Sequence, residues 1–265
     1  MGHATTQSES EGFTRWAHTI QHHRSSPRRS SMIRALVFDF DGLILDTETS
    51  VYEAWQTVYE EHDQVLPKDR WLTRIGTDGS AFDPLVELCA RVGEALDAEQ
   101  IRRKRMALHR ASIARLDQMP GVRACLEYAR AKSIGTAIAS SSPNYWVNGH
   151  IERLGLAHFF DQVVTIEHVE AGKPAPDLYL RATELLGVDP GDAIALEDSP
   201  NGVQSAKSAG LFCIAVPGPM TRTLSFEAAD AVLTSLDARP VAEWIAQAAA
   251  TRSARRADQP VSPCR

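Results

Sequence analysis

Two acidic residues stand at the end of a strand-like segment near the start of the chain. Asp39 and Asp41 follow the apolar run 33–38 and flank Phe40 in the segment VFDFDG. Residues two apart in extended chain point the same way, so both carboxylates face one side. Two like charges held this close require a cation or a shared proton. The pair predicts a metal or acid–base site, and the alternative is an acidic loop that caps a helix.

A second acidic pair, Glu197 and Asp198, lies in ALEDSPNG at the end of another apolar run. Ligands of open parallel sheets bind at the carboxyl ends of the strands, so we expect both pairs at that edge. Carboxylate oxygens are the ligands that Mg²⁺ prefers, together with water and substrate phosphate. The alternative is that this segment only starts a helix, with Ser199 as its N-cap.

Two further segments could bind phosphate. Three consecutive serines, 140–142, follow the apolar run 134–139. Hydroxyls and main-chain N–H groups at a helix start form a natural anion site, although Ser142 before Pro143 is also typical of an ordinary N-cap. Lys173, in AGKPAPD, is one of only five lysines. It could place a compact positive charge beside phosphate or carboxylates, and the alternative is a solvated surface lysine.

Short apolar runs alternate with segments that carry helix start and stop signals. Runs of this kind are typical of strands buried in a parallel sheet, with helices on both faces. The sequence therefore predicts an α/β fold with a doubly wound parallel sheet. The predicted strands are 33–38, 134–139, 162–166, 193–196, 212–216 and 231–233.

Between the first two predicted strands, the chain has helical periodicity and no strand signal. Tyr52, Trp55, Val58 and Tyr59 recur at helical spacing, and similar spacing continues beyond Asp83-Pro84. We predict an all-helical cap over 48–119, inserted into an α/β core formed by 32–47 and 120–250. An insertion after the first strand is well placed to cover the carboxyl ends of the sheet.

Composition limits the classes of function. The 265 residues are 43% hydrophobic and 23% charged, with a net charge of -6. There is no basic footprint for nucleic acid, and no apolar run approaches the roughly 20 residues that span a bilayer. Four widely separated cysteines indicate neither a zinc site nor a disulfide framework. We expect a cytoplasmic monomer that binds a small molecule and neither nucleic acid nor membrane.

The two ends of the chain differ from the rest in composition. Residues 1–31 are rich in Ser, His, Thr and Arg, and residues 251–265 are polar. We expect both to be disordered. The leader could be a transit peptide, but its acidic residues disfavour that, and we prefer an upstream extension before a native start at Met32.

Taken in chain order, these four segments resemble the motifs of the haloacid dehalogenase superfamily. The resemblance covers roughly residues 32–249. DFDG at 39–42 is similar to the first motif, Ser140 to the second, Lys173 to the third and Glu197-Asp198 to the fourth. The phrases DGLILDTE, GKPAPD and LEDSPNG resemble the branch that holds β-phosphoglucomutase and small-metabolite phosphatases. The resemblance implies a Rossmann-like core with a helical cap.

The resemblance also implies a mechanism for phosphoryl transfer. Asp39 would attack phosphorus, and Asp41 would protonate the leaving group and later activate water. Mg²⁺ would be held by Asp39, by the main-chain carbonyl of Asp41 and by Asp198, with support from Glu197. The phosphate would be bound by Ser140, Ser141 and Lys173.

Cap residues implied to meet the substrate are Thr47, Glu48 and, in the loop RIGTDGSAF, Thr77. The mutases of this branch have a histidine where Val51 stands, and valine cannot hydrogen-bond. We therefore predict a phosphomonoesterase acting on a sugar or polyol phosphate, with a sugar phosphomutase as the alternative and a catalytically silent binding module as a third. The presence of Asp41 disfavours the dehalogenases of the superfamily, and a cap without a matching lysine disfavours its phosphonatases.

Overall fold

The core of the protein is a parallel sheet. The computed structural model describes residues 32–75, 82–93 and 96–257. In these ranges the sheet has six strands, in the order β3-β2-β1-β4-β5-β6. Each apolar run of the sequence overlaps one strand, so the predicted α/β fold is confirmed. The strands are β1 (Ala35–Phe38), β2 (Gly135–Ala139), β3 (Gln162–Val164), β4 (Ala193–Glu197), β5 (Phe212–Ala215) and β6 (Ala231–Val232).

The register of the central strands sets the position of the acidic residues. Phe38 of β1 lies opposite Ile138 of β2 on one side and Leu196 of β4 on the other. On one side of β1 lie β2 and then β3, and on the other side lie β4, β5 and β6. The loops that follow β1, β2 and β4 therefore leave the sheet side by side, at the crevice where open α/β sheets bind ligands.

Helices cover both faces of the sheet, because β1 is apolar on both. Leu36 and Phe38 belong to one buried apolar cluster, and Ala35 and Val37 belong to the other. This alternation follows from the period of two of a strand. The covering helices are α5 (Val122–Ala131), α6 (Asn144–Arg153), α7 (Asp177–Leu185), α8 (Pro200–Ser208) and α9 (Val241–Ala257).

The two serines predicted as helix N-caps differ in outcome. Ser199 caps α8 by accepting a hydrogen bond from Gly202 N at 3.1 Å. The prediction that Ser142 caps the helix after β2 was wrong. The residue before α6 is Pro143, and the first main-chain N–H of α6 is bonded by the Glu167 carboxylate. The Ser142 side chain is free to contact the acidic site instead.

In the described part of the chain, four helices lie between β1 and α5, and we call residues 47–113 the helical insert. They are α1 (Thr47–Glu60), α2 (Lys68–Leu72), α3 (Pro84–Val92) and α4 (Ala98–Ile113). Their large side chains, among them Trp55, Tyr59 and Trp71, form an apolar cluster separate from the two that flank the sheet. Its position in the chain is consistent with the predicted cap over 48–119.

The carboxyl-terminal helix extends further than expected. Residues 251–257 were predicted to be disordered, but α9 continues to Ala257. The reason is a buried ion pair, since Arg252 lies 2.6 Å from the Asp192 carboxylate. The predicted leader 1–31 and the tail after 257 lie outside the described residues. No helix in the described ranges is both long and apolar enough to cross a membrane.

Candidate active site

The centre of the candidate site is a lysine between two carboxylates. Asp39 is the first residue after β1, and Glu197 is the last residue of β4. The ammonium group of Lys173 contacts Asp39 Oδ1 directly and lies 2.7 Å from Glu197 Oε1. Tyr179 on α7 donates a hydrogen bond to the same Glu197 oxygen at 2.6 Å. These side chains are buried, so the geometry of the centre is fixed by their mutual contacts.

Burial and neighbouring charges determine how these groups ionise. Burial raises the pKa of Asp39 to about 7, although Lys173 acts in the opposite direction. Burial alone would lower the pKa of Lys173, but Asp39 and Glu197 outweigh it and raise that pKa above its ordinary value. The lysine is therefore charged. One positive charge does not balance the neighbouring carboxylates, so the centre favours an added cation.

Three carboxylates are arranged as a cation site would require. Asp39, Glu197 and Asp198 each offer an oxygen, and these atoms lie within 4.8 Å of one another. Asp198 Oδ1 is buried and has no hydrogen-bond partner in the described part of the chain. A Cβ atom on Gly42 would lie 2.1 Å from Asp198 Oδ2, so the glycine leaves room for that carboxylate. An all-oxygen donor set with an unpartnered buried oxygen fits Mg²⁺.

The carboxylate of Asp41 does not join this cluster. Its Oδ2 accepts a hydrogen bond from Ser142 Oγ at 2.6 Å, and its Oδ1 accepts one from Trp146 Nε1 at 3.0 Å. Ser140 Oγ lies 3.5 Å from Oδ2. Of the predicted metal ligands, Asp41 is thus the one whose side chain points elsewhere, which leaves its main-chain carbonyl as the available donor.

The residues predicted to bind phosphate meet beside this centre. Ser140 is buried, and its Oγ accepts a hydrogen bond from Ser142 N at 3.0 Å. Ser141 Oγ accepts one from Lys173 N at 3.2 Å. The serine loop and the lysine loop are therefore tied together, and the predicted set Ser140, Ser141 and Lys173 faces a single cavity.

This cavity has a volume of about 280 Å³ and lies between the sheet edge and the helical insert. Of the predicted substrate residues, Thr47 and Glu48 line it, and Thr77 lies outside the described residues. The sequence analysis missed two of the lining residues, His109 and Trp146. Neither stands in a recognisable motif, so no local signal could have identified them. The remaining lining residues are Asp39, Asp41, Val51, Arg74, the serines 140–142, Pro143 and Lys173.

The cavity wall formed by the insert carries ionisable side chains whose pKa values are shifted. Burial, followed by the nearby charge of Asp41, raises the pKa of Glu48 to about 8. Burial lowers the pKa of His109 to about 4, so its imidazole is neutral at pH 7. Its Nε2 atom is buried and has no partner within the described ranges. The guanidinium of Arg74 packs 4.5 Å from the centroid of the Trp71 ring.

A family model and two known relatives agree on the family of this chain. The model of the haloacid dehalogenase-like hydrolases matches residues 36–216. The phosphatase candidate YhcW of Bacillus subtilis is 45% identical over 208 residues, which are 77% of this chain and 93% of YhcW. The phosphorylated carbohydrates phosphatase of Thermotoga maritima is 32% identical over 179 residues, 68% of this chain and 82% of that protein.

A solved structure supports the same conclusion. The crystal structure of a candidate β-phosphoglucomutase from Thermotoga maritima superposes with a TM-score of 0.65 at 28% identity. It covers 80% of this chain and 99% of its own. The matched span contains the acidic pairs, the serine loop and Lys173, so it includes the whole sheet side of the cavity. These matches confirm the predicted family and the predicted enzyme class, and the chain belongs to the haloacid dehalogenase-like hydrolases.

Proposed function

We propose that this protein is a Mg²⁺-dependent phosphomonoesterase that acts on a small sugar or polyol phosphate through a phosphoaspartate. The observation that carries the proposal is the position of Asp39. Its carboxylate contacts Lys173, belongs to one cluster with the carboxylate of Asp198, and borders a cavity of about 280 Å³. The name of the Thermotoga relative, a phosphatase of phosphorylated carbohydrates, supports the substrate class.

In the proposed reaction, a carboxylate oxygen of Asp39 attacks phosphorus, and the ester P–O bond breaks. Asp41 gives its proton to the leaving alkoxide. In the second half, Asp41 takes a proton from water, the water oxygen bonds to phosphorus, and the Asp39 carboxylate is released with inorganic phosphate. Ser140 and Lys173 bind the non-bridging oxygens throughout.

The carboxylates of Asp39 and Asp198, supported by Glu197 and the Asp41 carbonyl, would hold the cation. When bound there, Mg²⁺ offsets the negative charge of phosphate and carboxylates, whose mutual repulsion would otherwise oppose attack. The charge of Lys173 alone cannot do so, because two carboxylates already share it.

A sugar phosphomutase is the second candidate, favoured by the structural match to a candidate β-phosphoglucomutase. A mutase must return the phosphoryl group to a sugar hydroxyl and keep water out. Val51 lines the cavity at the α1 position where the mutases of this branch carry a histidine, and its side chain offers no hydrogen bond to orient such a hydroxyl. This favours water as the acceptor. We further propose that the enzyme acts as a cytoplasmic monomer on small metabolites and not on nucleic acid.

A panel of sugar and polyol phosphates tests this function. The protein is incubated with each compound and Mg²⁺, and both free phosphate and isomerised sugar phosphate are measured. We expect free phosphate, with a fall of at least about 100-fold when EDTA removes the cation. Isomerisation without phosphate release would establish the mutase. Absence of turnover over the whole panel would contradict both and favour the silent binding module.

A further inference from the structure

The side chain of Trp146 is half-buried and contacts Asp41. It lies in the first turn of α6, and its Nε1–H group donates to Asp41 Oδ1 at 3.0 Å. The imidazole of His150, one turn further on, packs edge-on at 4.4 Å between ring centroids. The imidazole of His109, from α4 of the insert, packs at 5.3 Å. The indole is therefore held by a ring of the core and a ring of the insert.

The chemistry of the indole distinguishes the two oxygens of Asp41. An indole N–H can only donate a hydrogen bond, so the oxygen that it meets must accept. A hydroxyl can both donate and accept, and Ser142 Oγ lies 2.6 Å from Oδ2. When Asp41 is protonated, Oδ2 is therefore the oxygen that can carry the proton while both contacts remain.

We propose that Trp146 is a positioning residue that fixes the rotation of the Asp41 carboxylate, so that Oδ2 is the oxygen that exchanges protons with substrate and water. The inference rests on the proposed function. In the first half-reaction the Oδ2–H bond breaks as the alkoxide gains its proton. In the second, Oδ2 takes a proton from water as the water oxygen bonds to phosphorus.

Two features of the neighbourhood support this role over simple packing. Trp146 lines the cavity, and each oxygen of Asp41 has its own donor. A carboxylate held at only one oxygen could rotate about its terminal bond, which is soft. By contrast, Trp244 of α9 is buried in the core, and its Nε1 has no hydrogen-bond partner in the described part of the protein. A tryptophan whose indole only packs is thus available as a matched control.

The test compares Trp146→Phe with Trp244→Phe on two substrates. One is the sugar or polyol phosphate that the wild-type protein hydrolyses fastest, and the other is 4-nitrophenyl phosphate. An alkoxide needs a proton from Asp41 to leave, whereas nitrophenolate is a far weaker base and needs it much less. For Trp146→Phe we expect kcat/KM to fall by about 10- to 100-fold on the alkyl ester and by less than about threefold on the aryl ester. Trp244→Phe should change both equally.

A double-mutant cycle tests whether the effect passes through Asp41. In an Asp41→Asn background, adding Trp146→Phe should change the remaining kcat/KM for the sugar or polyol phosphate by less than about twofold, although the same substitution costs about 10- to 100-fold in the wild-type background. Should Trp146→Phe not fold, Ser142→Ala removes the donor at Oδ2, and the same selective loss is expected. An equal loss on both ester types, or an undiminished loss without Asp41, would overturn the inference. The proposed function fails separately, if the wild-type protein releases no phosphate.

Discussion

The two walls of the cavity differ in how their polar atoms are used. At the sheet edge, most polar side chains bond one another, as in the contacts of Lys173 with Asp39 and Glu197, and of Asp41 with Ser142. On the insert wall, two buried polar atoms have no hydrogen-bond partner within the described ranges. They are Thr47 Oγ1 and His109 Nε2.

This difference separates the residues that carry out the reaction from the residues that select the substrate. Groups that already satisfy one another are held in place before a substrate arrives, which is what a fixed phosphoryl-transfer step requires. Buried polar groups without partners are costly unless something else bonds them. We infer that the insert wall meets the variable part of the substrate. Changes at the sheet edge should therefore abolish turnover of every ester, whereas changes on the insert should alter which ester is preferred.

The largest effect is expected at the nucleophile. Asp39→Asn should lower kcat by at least about 1,000-fold on every substrate, because an amide cannot attack phosphorus. Steady-state phosphate release measures this. Asp161→Asn is the control, since Asp161 lies at the opposite end of the sheet, where it accepts a hydrogen bond from Thr136 N. Full activity of Asp39→Asn on any ester would contradict the claim that the sheet edge carries out the reaction for every ester.

The next effect concerns the buried lysine. Lys173→Gln leaves Asp39 and Glu197 without their shared partner, and breaking a buried ion pair costs about 3 kcal/mol or more of unfolding free energy. Urea denaturation measures it. Lys104→Gln, on the insert, breaks an exposed pair with Glu61 and should cost less than about 1 kcal/mol. Equal losses in the two variants would show that the Lys173 centre does not stabilise the fold.

A smaller and selective effect is expected on the insert wall. Arg74→Gln should raise KM about tenfold for the preferred sugar phosphate, because Arg74 lines the cavity from the insert. It should leave kcat for 4-nitrophenyl phosphate within about threefold. Arg102→Gln, at an exposed position of α4, is the matched control. A uniform loss of kcat on all esters would place Arg74 in the chemistry and contradict its assignment to selection.

A change in the pH dependence of stability is expected at Glu48. The folded protein raises the pKa of Glu48 from 4.5 to about 8, so it binds that proton more tightly than the unfolded chain. The contribution of Glu48 to the free energy of unfolding therefore falls as pH rises from about 4.5 to about 8. In Glu48→Gln, Tm should decline less between pH 5 and 8 than in the wild-type protein. Glu53→Gln, exposed on the same helix, should follow the wild type.

The sheet edge could be predicted because its signals are local. Each strand is a short apolar run, and several of the chemical residues follow a strand directly, as Asp39 follows β1 and Ser140 follows β2. Parallel topology then brings the loop residues together. The contact between Trp146 and Asp41 could not be predicted, because it joins residues 105 positions apart and depends on how α6 turns.

Apart from Thr47 and Glu48, which the family resemblance implied, the insert wall was predictable only as a set of helices. The periodicity of Trp55 and Tyr59 indicates that the helices exist but not how they pack over the sheet. His109 reaches the cavity through that packing, although nothing in its sequence neighbourhood distinguishes it from other histidines. The helix cap expected at Ser142 failed for the same reason, since its hydroxyl bonds a residue 101 positions away instead of its own helix.

The central claim is that Asp39 captures the phosphoryl group. The most direct measurement is rapid acid quenching of the protein during turnover of its best substrate, followed by peptide mass spectrometry. We predict a phosphorylated peptide that contains Asp39, formed and lost at the rates of turnover, and absent from Asp39→Asn. Full turnover without a phosphorylated peptide, or with the phosphoryl group on any residue other than Asp39, would contradict the account.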